Sequence, residues 1–324
     1  MTPEFALIDH YFKRTAVSPS RAVLGIGDDC ALIGAMPNRE LAISTDTLVS
    51  GTHFFADADP EKLGHKALAV NLSDLAAMGA APRYVTLALT LPNIDEAWLA
   101  AFSRGFFALA DAHQLELIGG DTTRGPLSIT LTIFGEVDAG RALKRDGAKA
   151  GDDIWVSGSL GGAALALMHL QSRLTLPLSI LVGIEACLHQ PTPRITLGLA
   201  LLDIASAAVD ISDGLLADLG HICERSELAA TVDHAAVPMA PALLTVAADV
   251  RDRCALAGGD DYELCFTAPS AQRQRIHALA KTLALPLTRI GTMLASESGM
   301  ARVSVFDAQG HDVTPVAAGY DQFA

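Results

Sequence analysis

The chain has 324 residues, with 23 Lys and Arg against 37 Asp and Glu, and its net charge of −14 argues against nucleic acid or an anionic membrane surface as a partner. Hydrophobic residues make up 50% of it, and its length exceeds the usual single domain of about 100–200 residues, so two domains with separate cores are expected. Five scattered cysteines without a Cys-x-x-Cys pair, no signal-peptide pattern at the N-terminus and no apolar run of membrane length point to a reducing cytoplasm.

In chain order, Phe5, Ile8 and Phe12 at helical spacing predict an amphipathic helix over 4–14. Gly25-Ile26-Gly27-Asp28-Asp29-Cys30-Ala31-Leu32 follows. Its glycines permit a tight turn on which the paired carboxylates can converge, although an acidic surface turn would use the same residues. Leu41 to Leu48 reads as a strand carrying Ser44-Thr45-Asp46. Asp59-Pro60 supplies an N-cap and a proline at the first helical position, opening a helix that runs through Leu63, Val70 and Leu75 to Gly79. Asp74 lies near its end, where a carboxylate opposes the helix dipole. A strand over 85–91, a helix over 95–112 and a short strand over 115–118 come next, the last ending in Gly119-Gly120-Asp121-Thr122-Thr123. A β-branched strand over 128–137 completes a first domain placed at 1–138.

Residues 139–152 hold Gly140, Gly147 and Gly151 without apolar periodicity and are assigned as a linker, leaving 153–324 as the second domain. Arg141, Lys144, Arg145 and Lys149 gather positive charge there, as a solvated loop face or as a group reaching for phosphate. After a strand at 153–157, Ser159-Leu160-Gly161-Gly162 opens a helix but lacks the Gly-Lys-Ser/Thr ending of a P-loop. Helices are predicted over 178–189 and 194–207, separated by Pro191 and Pro193. Ala208 to Gly214 reads as a strand and turn in which Asp213 caps a helix over 215–225. A strand over 229–232 and a helix over 241–248 lead to Gly258-Gly259-Asp260-Asp261-Tyr262-Glu263, and a strand over 264–267, a helix and two strands close the chain.

Asp28-Asp29, Asp46, Asp74, Asp121, Asp210, Asp213 and Asp260-Asp261 fall at predicted element ends, often beside glycine. Magnesium prefers carboxylate and phosphate oxygens, so scattered loop aspartates suit a metal-phosphate site, whereas no His-x-x-x-His pattern or thiol cluster suits zinc. His53 and His65, taken alone, read as surface or packing histidines. From residues alone the set indicates magnesium-dependent phosphoryl transfer and names no substrate.

The motifs at 25–32, 44–49, 66–79, 119–122, 210–215 and 258–264 together resemble the thiamine-monophosphate kinase family, nearly end to end. That family is similar to aminoimidazole ribonucleotide synthetase and selenophosphate synthetase. The resemblance implies an α+β N-terminal domain that binds metal and nucleotide, an α/β C-terminal domain, and a homodimer whose N-terminal sheets join in a barrel. It implies ATP as co-substrate, several Mg2+ ions, and thiamine monophosphate as the acceptor that becomes thiamine diphosphate. By position, it makes Asp29, Ser44, Thr45, Asp46, Asp74, Asp121, Asp210 and Asp213 magnesium ligands, places Gly120, Asp121, Arg145 and Ser212 at ATP, and places His53, Asp260 and Tyr320 at the substrate. This chain departs from the family's common Gly-Gly-Glu-Asp-Tyr-Glu by carrying Asp260 in place of the first glutamate.

A phosphate monoester loses its second proton near about pH 6, so direct in-line transfer needs neither a general base nor a covalent nucleophile. Two alternatives stand beside this reading: another ATP-dependent enzyme of the same superfamily, and a non-catalytic magnesium-nucleotide sensor.

Overall fold

The computed structural model describes residues 4–13, 22–26, 30–34, 36–296, 301–315 and 319. It divides into two compact units, one formed by residues 1–75 and 80–140, the other by 76–79 and 141–324. Each unit has its own mixed sheet.

The first unit contains α1 (Glu4–Tyr11), β1 (Arg39–Val49), most of α2 (Pro60–Ala77), β2 (Ala81–Leu91), α3 (Glu96–Ala112), β3 (Glu116–Arg124) and β4 (Ser128–Asp138). Its sheet has the order β1-β4-β2-β3, with β4 antiparallel to both neighbours and β2 parallel to β3. Strand β4 alternates, burying Ile129, Leu131, Ile133 and Val137, the pattern of a sheet covered on one face. Leu68, Leu72 and Leu75 of α2 are buried together with Leu99, Phe102 and Phe106 of α3. The two helices meet at glycine: a Cβ on Gly105 would stand 1.8 Å from the Glu61 carbonyl, and one on Gly64 2.1 Å from that of Phe102. Helix α3 starts where expected, because the Asp95 carboxylate accepts the N–H groups of Ala97 and Trp98 at 3.0 Å.

Gly119 to Thr123 departs from the sequence reading. These residues continue β3 instead of ending it, paired with β2 as far as Arg124. Gly120 is there for close approach, since a Cβ would lie 1.9 Å from the Leu87 carbonyl.

The second unit contains β5 (Asp153–Ser157), α4 (Gly162–Leu170), α5 (Leu178–His189), α6 (Ile195–Leu201), β6 (Ala207–Asp210), α7 (Leu215–Ser226), β7 (Leu228–Asp233), α8 (Ala248–Ala257), β8 (Leu264–Ala268), α9 (Arg273–Leu283), β9 (Leu287–Ala295) and β10 (Arg302–Phe306). The sheet order is β10-β7-β9-β5-β8-β6. Only β10 and β7 are parallel; the other neighbours are antiparallel, so the unit is α+β and not the α/β arrangement expected. Strands β5, β6 and β8 are buried throughout, which explains their apolar runs.

Asp153, at the start of β5, is bound by Arg273 (2.6 and 2.8 Å) and Arg289 (2.5 Å), which hold its carboxyl below the usual range. Helix α6 is shorter than expected, because Ser206 already donates its N–H to Thr267 at the entry to β6. Helix α8 was not predicted; the expected helix at 241–248 is a 3-10 turn over Pro241–Thr245. Among the described residues no helix is long and apolar enough to cross a membrane, and all five cysteines are free thiols.

Candidate functional site

The first acidic group follows from the pleat of β1. Ser44 and Asp46 are two residues apart and share the partly covered face, whereas Thr45 points to the other, its Oγ1 2.9 Å from that of Thr132. Ser44 Oγ donates to Asp74 Oδ2 at 2.5 Å, joining β1 to the last turn of α2. Burial, and then the neighbouring Asp74, push Asp46 up to about 6. No basic residue occupies the last turn of α2, so the helix dipole adds to the cost of negative charge at this point. Two carboxylates and a hydroxyl held together form a set of hard oxygen donors, and this fits magnesium better than zinc.

Asp121 is exposed on β3, opposite Ala88 and next to Gly120. His53 follows β1, with its Nδ1 accepting the Val49 N–H at 3.0 Å, which puts the proton of the neutral ring on Nε2. Asp29 and Tyr320 lie outside the described residues. Among the described residues, no three His, Cys, Asp or Glu side chains gather into a metal cluster.

In the second unit Asp210 ends β6 and is buried, and Ser212 and Asp213 form the turn into α7. The expected cap at Asp213 is corrected here. Asp218 Oδ2 accepts the N–H groups of Ser212, Asp213 and Gly214 at 3.0, 3.1 and 3.1 Å, bracing from within α7 the turn that leads into it. Burial, helped by Asp213, still pushes Asp218 up to about 6. Burial also raises Asp213, and Asp260 adds to the rise, while His221 and Arg145 oppose it; these side chains therefore share one electrostatic neighbourhood.

The segment 258–263 is laced to that turn. Asp260 donates its N–H to the Ser212 carbonyl at 2.9 Å, Tyr262 to Ile211 at 2.8 Å, and Ile211 to Glu263 at 2.8 Å. Asp261 accepts the Gly161 N–H at 2.8 and 3.0 Å at the start of α4, and burial raises its carboxyl. Glu263 is buried between Arg194, whose Nε lies at 2.7 Å, and the Ser157 hydroxyl at 2.5 Å. Sequence reasoning gave no role to Asp218 or Arg194. For Asp218 a signal existed, an acid in the first turn of a helix; Arg194, just before α6, had none.

A family model described as AIR synthase related protein, N-terminal domain, matches residues 27–137, and the corresponding C-terminal domain matches 149–304. The chain is 52% identical over 329 aligned residues to the thiamine-monophosphate kinase of Salmonella typhimurium, covering 99% of this chain and 98% of that protein. This chain belongs to the thiamine-monophosphate kinase family.

The family likeness extends to solved structures. The crystal structure of thiamine-monophosphate kinase from Stenotrophomonas maltophilia superimposes with a TM-score of 0.85 at 52% identity, over 93% of this chain and 96% of that one. AaThiL, solved in complex with AMPPCP and TMP, matches with a TM-score of 0.76 at 28% identity, over 89% of each chain. Both acidic groups lie inside the segments matched by the family models.

Proposed function

We propose that this chain transfers the γ-phosphoryl group of ATP to the phosphate of thiamine monophosphate, giving thiamine diphosphate. The observation that carries the reading is the 52% identity to a thiamine-monophosphate kinase across both domains. The AMPPCP and TMP bound by AaThiL support the choice of both substrates.

The central difficulty is bringing two polyanions together. Unit charges about 4 Å apart repel by about 4 kcal/mol at an effective dielectric near 20. Magnesium, when bound, neutralises that charge and aligns the phosphate oxygens. Asp46, Asp74 and Ser44 would hold one ion in the first unit; Thr45, whose side chain lies on the other face of β1, Asp121 and Asp29 are assigned to further ions. Asp210 and Asp213 would hold magnesium in the second. The proximity of Asp46 to Asp74 supports this, since a shared cation would offset their mutual repulsion.

Gly120, Asp121, Arg145 and Ser212 are assigned to ATP. His53, Asp260 and Tyr320 are assigned to thiamine monophosphate, where the Asp260 carboxylate would face the cationic thiazolium. The acceptor phosphate is largely deprotonated at neutral pH, so no side chain needs to accept a proton and transfer is in line.

The assembly we propose is a homodimer. Strand β1 is an edge strand of eleven residues, its other side unpaired among the described residues, and it exposes Leu41 and Ile43. Pairing across a dimer, with the two four-stranded sheets closing a barrel, would cover them. The five free thiols support a reducing cytoplasm.

Purified protein with ATP, Mg2+ and thiamine monophosphate should form thiamine diphosphate and ADP in equal amounts. Nucleotide binding without product would favour a sensor.

A further inference from the structure

Asn71 lies on α2 and is 1% exposed, in a stretch where Leu68, Leu72 and Leu75 are buried with it. Its Nδ2 donates to the Ala67 carbonyl at 3.0 Å. A carbonyl can only accept, so the amide nitrogen is the atom that faces Ala67 and Oδ1 is turned away from it. Among the described residues no donor reaches that oxygen. A buried acceptor without a donor is rare and carries its full desolvation cost, which a leucine at the same place would not.

Asn71 and Asp74 are three residues apart, so they are neighbours on one face of the helix. Helical side chains lean towards the N-terminus, which carries the Asp74 carboxylate back over the turn that bears Asn71. That carboxylate accepts the Ser44 hydroxyl and lies beside Asp46. None of the three supplies the missing donor: Ser44 gives its one proton to Asp74, and ionised carboxylates only accept. Magnesium brings donors of its own, because it keeps several waters beside its carboxylate ligands.

We infer that Asn71 is a positioning residue for the metal: its Oδ1 accepts a hydrogen bond from a water on the magnesium ion held by Asp46 and Asp74, and so fixes how that ion's shell is turned. This rests on the reading of Asp46 and Asp74 as metal ligands.

The test uses Mn2+, which takes the same oxygen ligands. It is titrated into the full chain and the free ion is counted by electron paramagnetic resonance, with melting temperatures taken separately in a chelator. Asn71→Leu keeps the branching of the side chain and removes the amide; it should weaken Mn2+ binding by about tenfold and melt no lower than the parent without metal. Asn71→Asp keeps an acceptor oxygen and should bind Mn2+ at least as tightly as the parent, while melting lower without metal because it buries a charge. Parental Mn2+ affinity in Asn71→Leu, a lower metal-free melting temperature for that variant, or a loss of Mn2+ in Asn71→Asp as large as in Asn71→Leu would overturn the inference alone. Unweakened Mn2+ binding in Asp46→Asn would instead remove the metal reading of this group, and the inference with it.

Discussion

Replacing Asp46 by Asn should make the metal-free protein more stable while disabling it. Burial and Asp74 push Asp46 up to about 6, against about 3.9 in an unfolded chain. Between about pH 4 and 6 the native state therefore holds a proton that the unfolded state has released, and stability falls as pH rises through that window. Two pH units correspond to about 3 kcal/mol, and solvent screening of a partly exposed group reduces this to about 1–2 kcal/mol. Asparagine cannot ionise. In urea unfolding with a chelator at about pH 7.5, Asp46→Asn should exceed the parent by about 1–2 kcal/mol, and the difference should vanish below about pH 4. With magnesium the order should reverse, because only the parent offers the carboxylate. A variant less stable than the parent at neutral pH without metal would refute the reasoning, since it would mean that the Asp46 charge is compensated within the protein.

Asp121→Asn should lower kcat on the order of a hundredfold with an unchanged circular dichroism spectrum, as should removal of magnesium from the parent; near-normal kcat at limiting magnesium would end its assignment as a ligand. Asp218→Ala strands three backbone N–H groups at the start of α7 and should cost about 2–4 kcal/mol in chemical denaturation, with Asp218→Asn recovering part of the loss. Ile43 is 58% exposed on the edge of β1, so Ile43→Glu should shift the mass seen by light scattering from dimer towards monomer; an undisturbed dimer would locate the interface elsewhere.

Much of this arrangement was legible in the sequence because it follows from period. Ser44 and Asp46 differ by two on a strand, so they had to share a face, and Asp59-Pro60 announced its helix by capping chemistry. What escaped depended on tertiary contact. The glycines of 119–120 were read as the end of a strand, yet Gly120 sits inside one, and at 258–263 the left-handed residues are Asp260 and Tyr262. In both places glycine serves a close backbone approach that no local pattern reveals. Helix α8 escaped because Asp249, Arg251, Asp252 and Arg253 leave it no apolar stripe. At α7 Asp213 was expected to cap, whereas the N-cap is Gly214 and the acid that binds the preceding turn is Asp218, a choice that only the fold makes. The second domain was expected to be α/β by resemblance; the pairing and order of its strands could not be read from spacing.

The measurement closest to the central claim is a single turnover with γ-labelled ATP, excess enzyme, magnesium and thiamine monophosphate, quenched over time and resolved into protein, nucleotide and thiamine species. Label should pass from ATP to thiamine diphosphate with no labelled protein at any time, and omission of thiamine monophosphate should leave ATP intact. Label trapped on the protein, or ADP released with no labelled thiamine diphosphate, would contradict direct transfer.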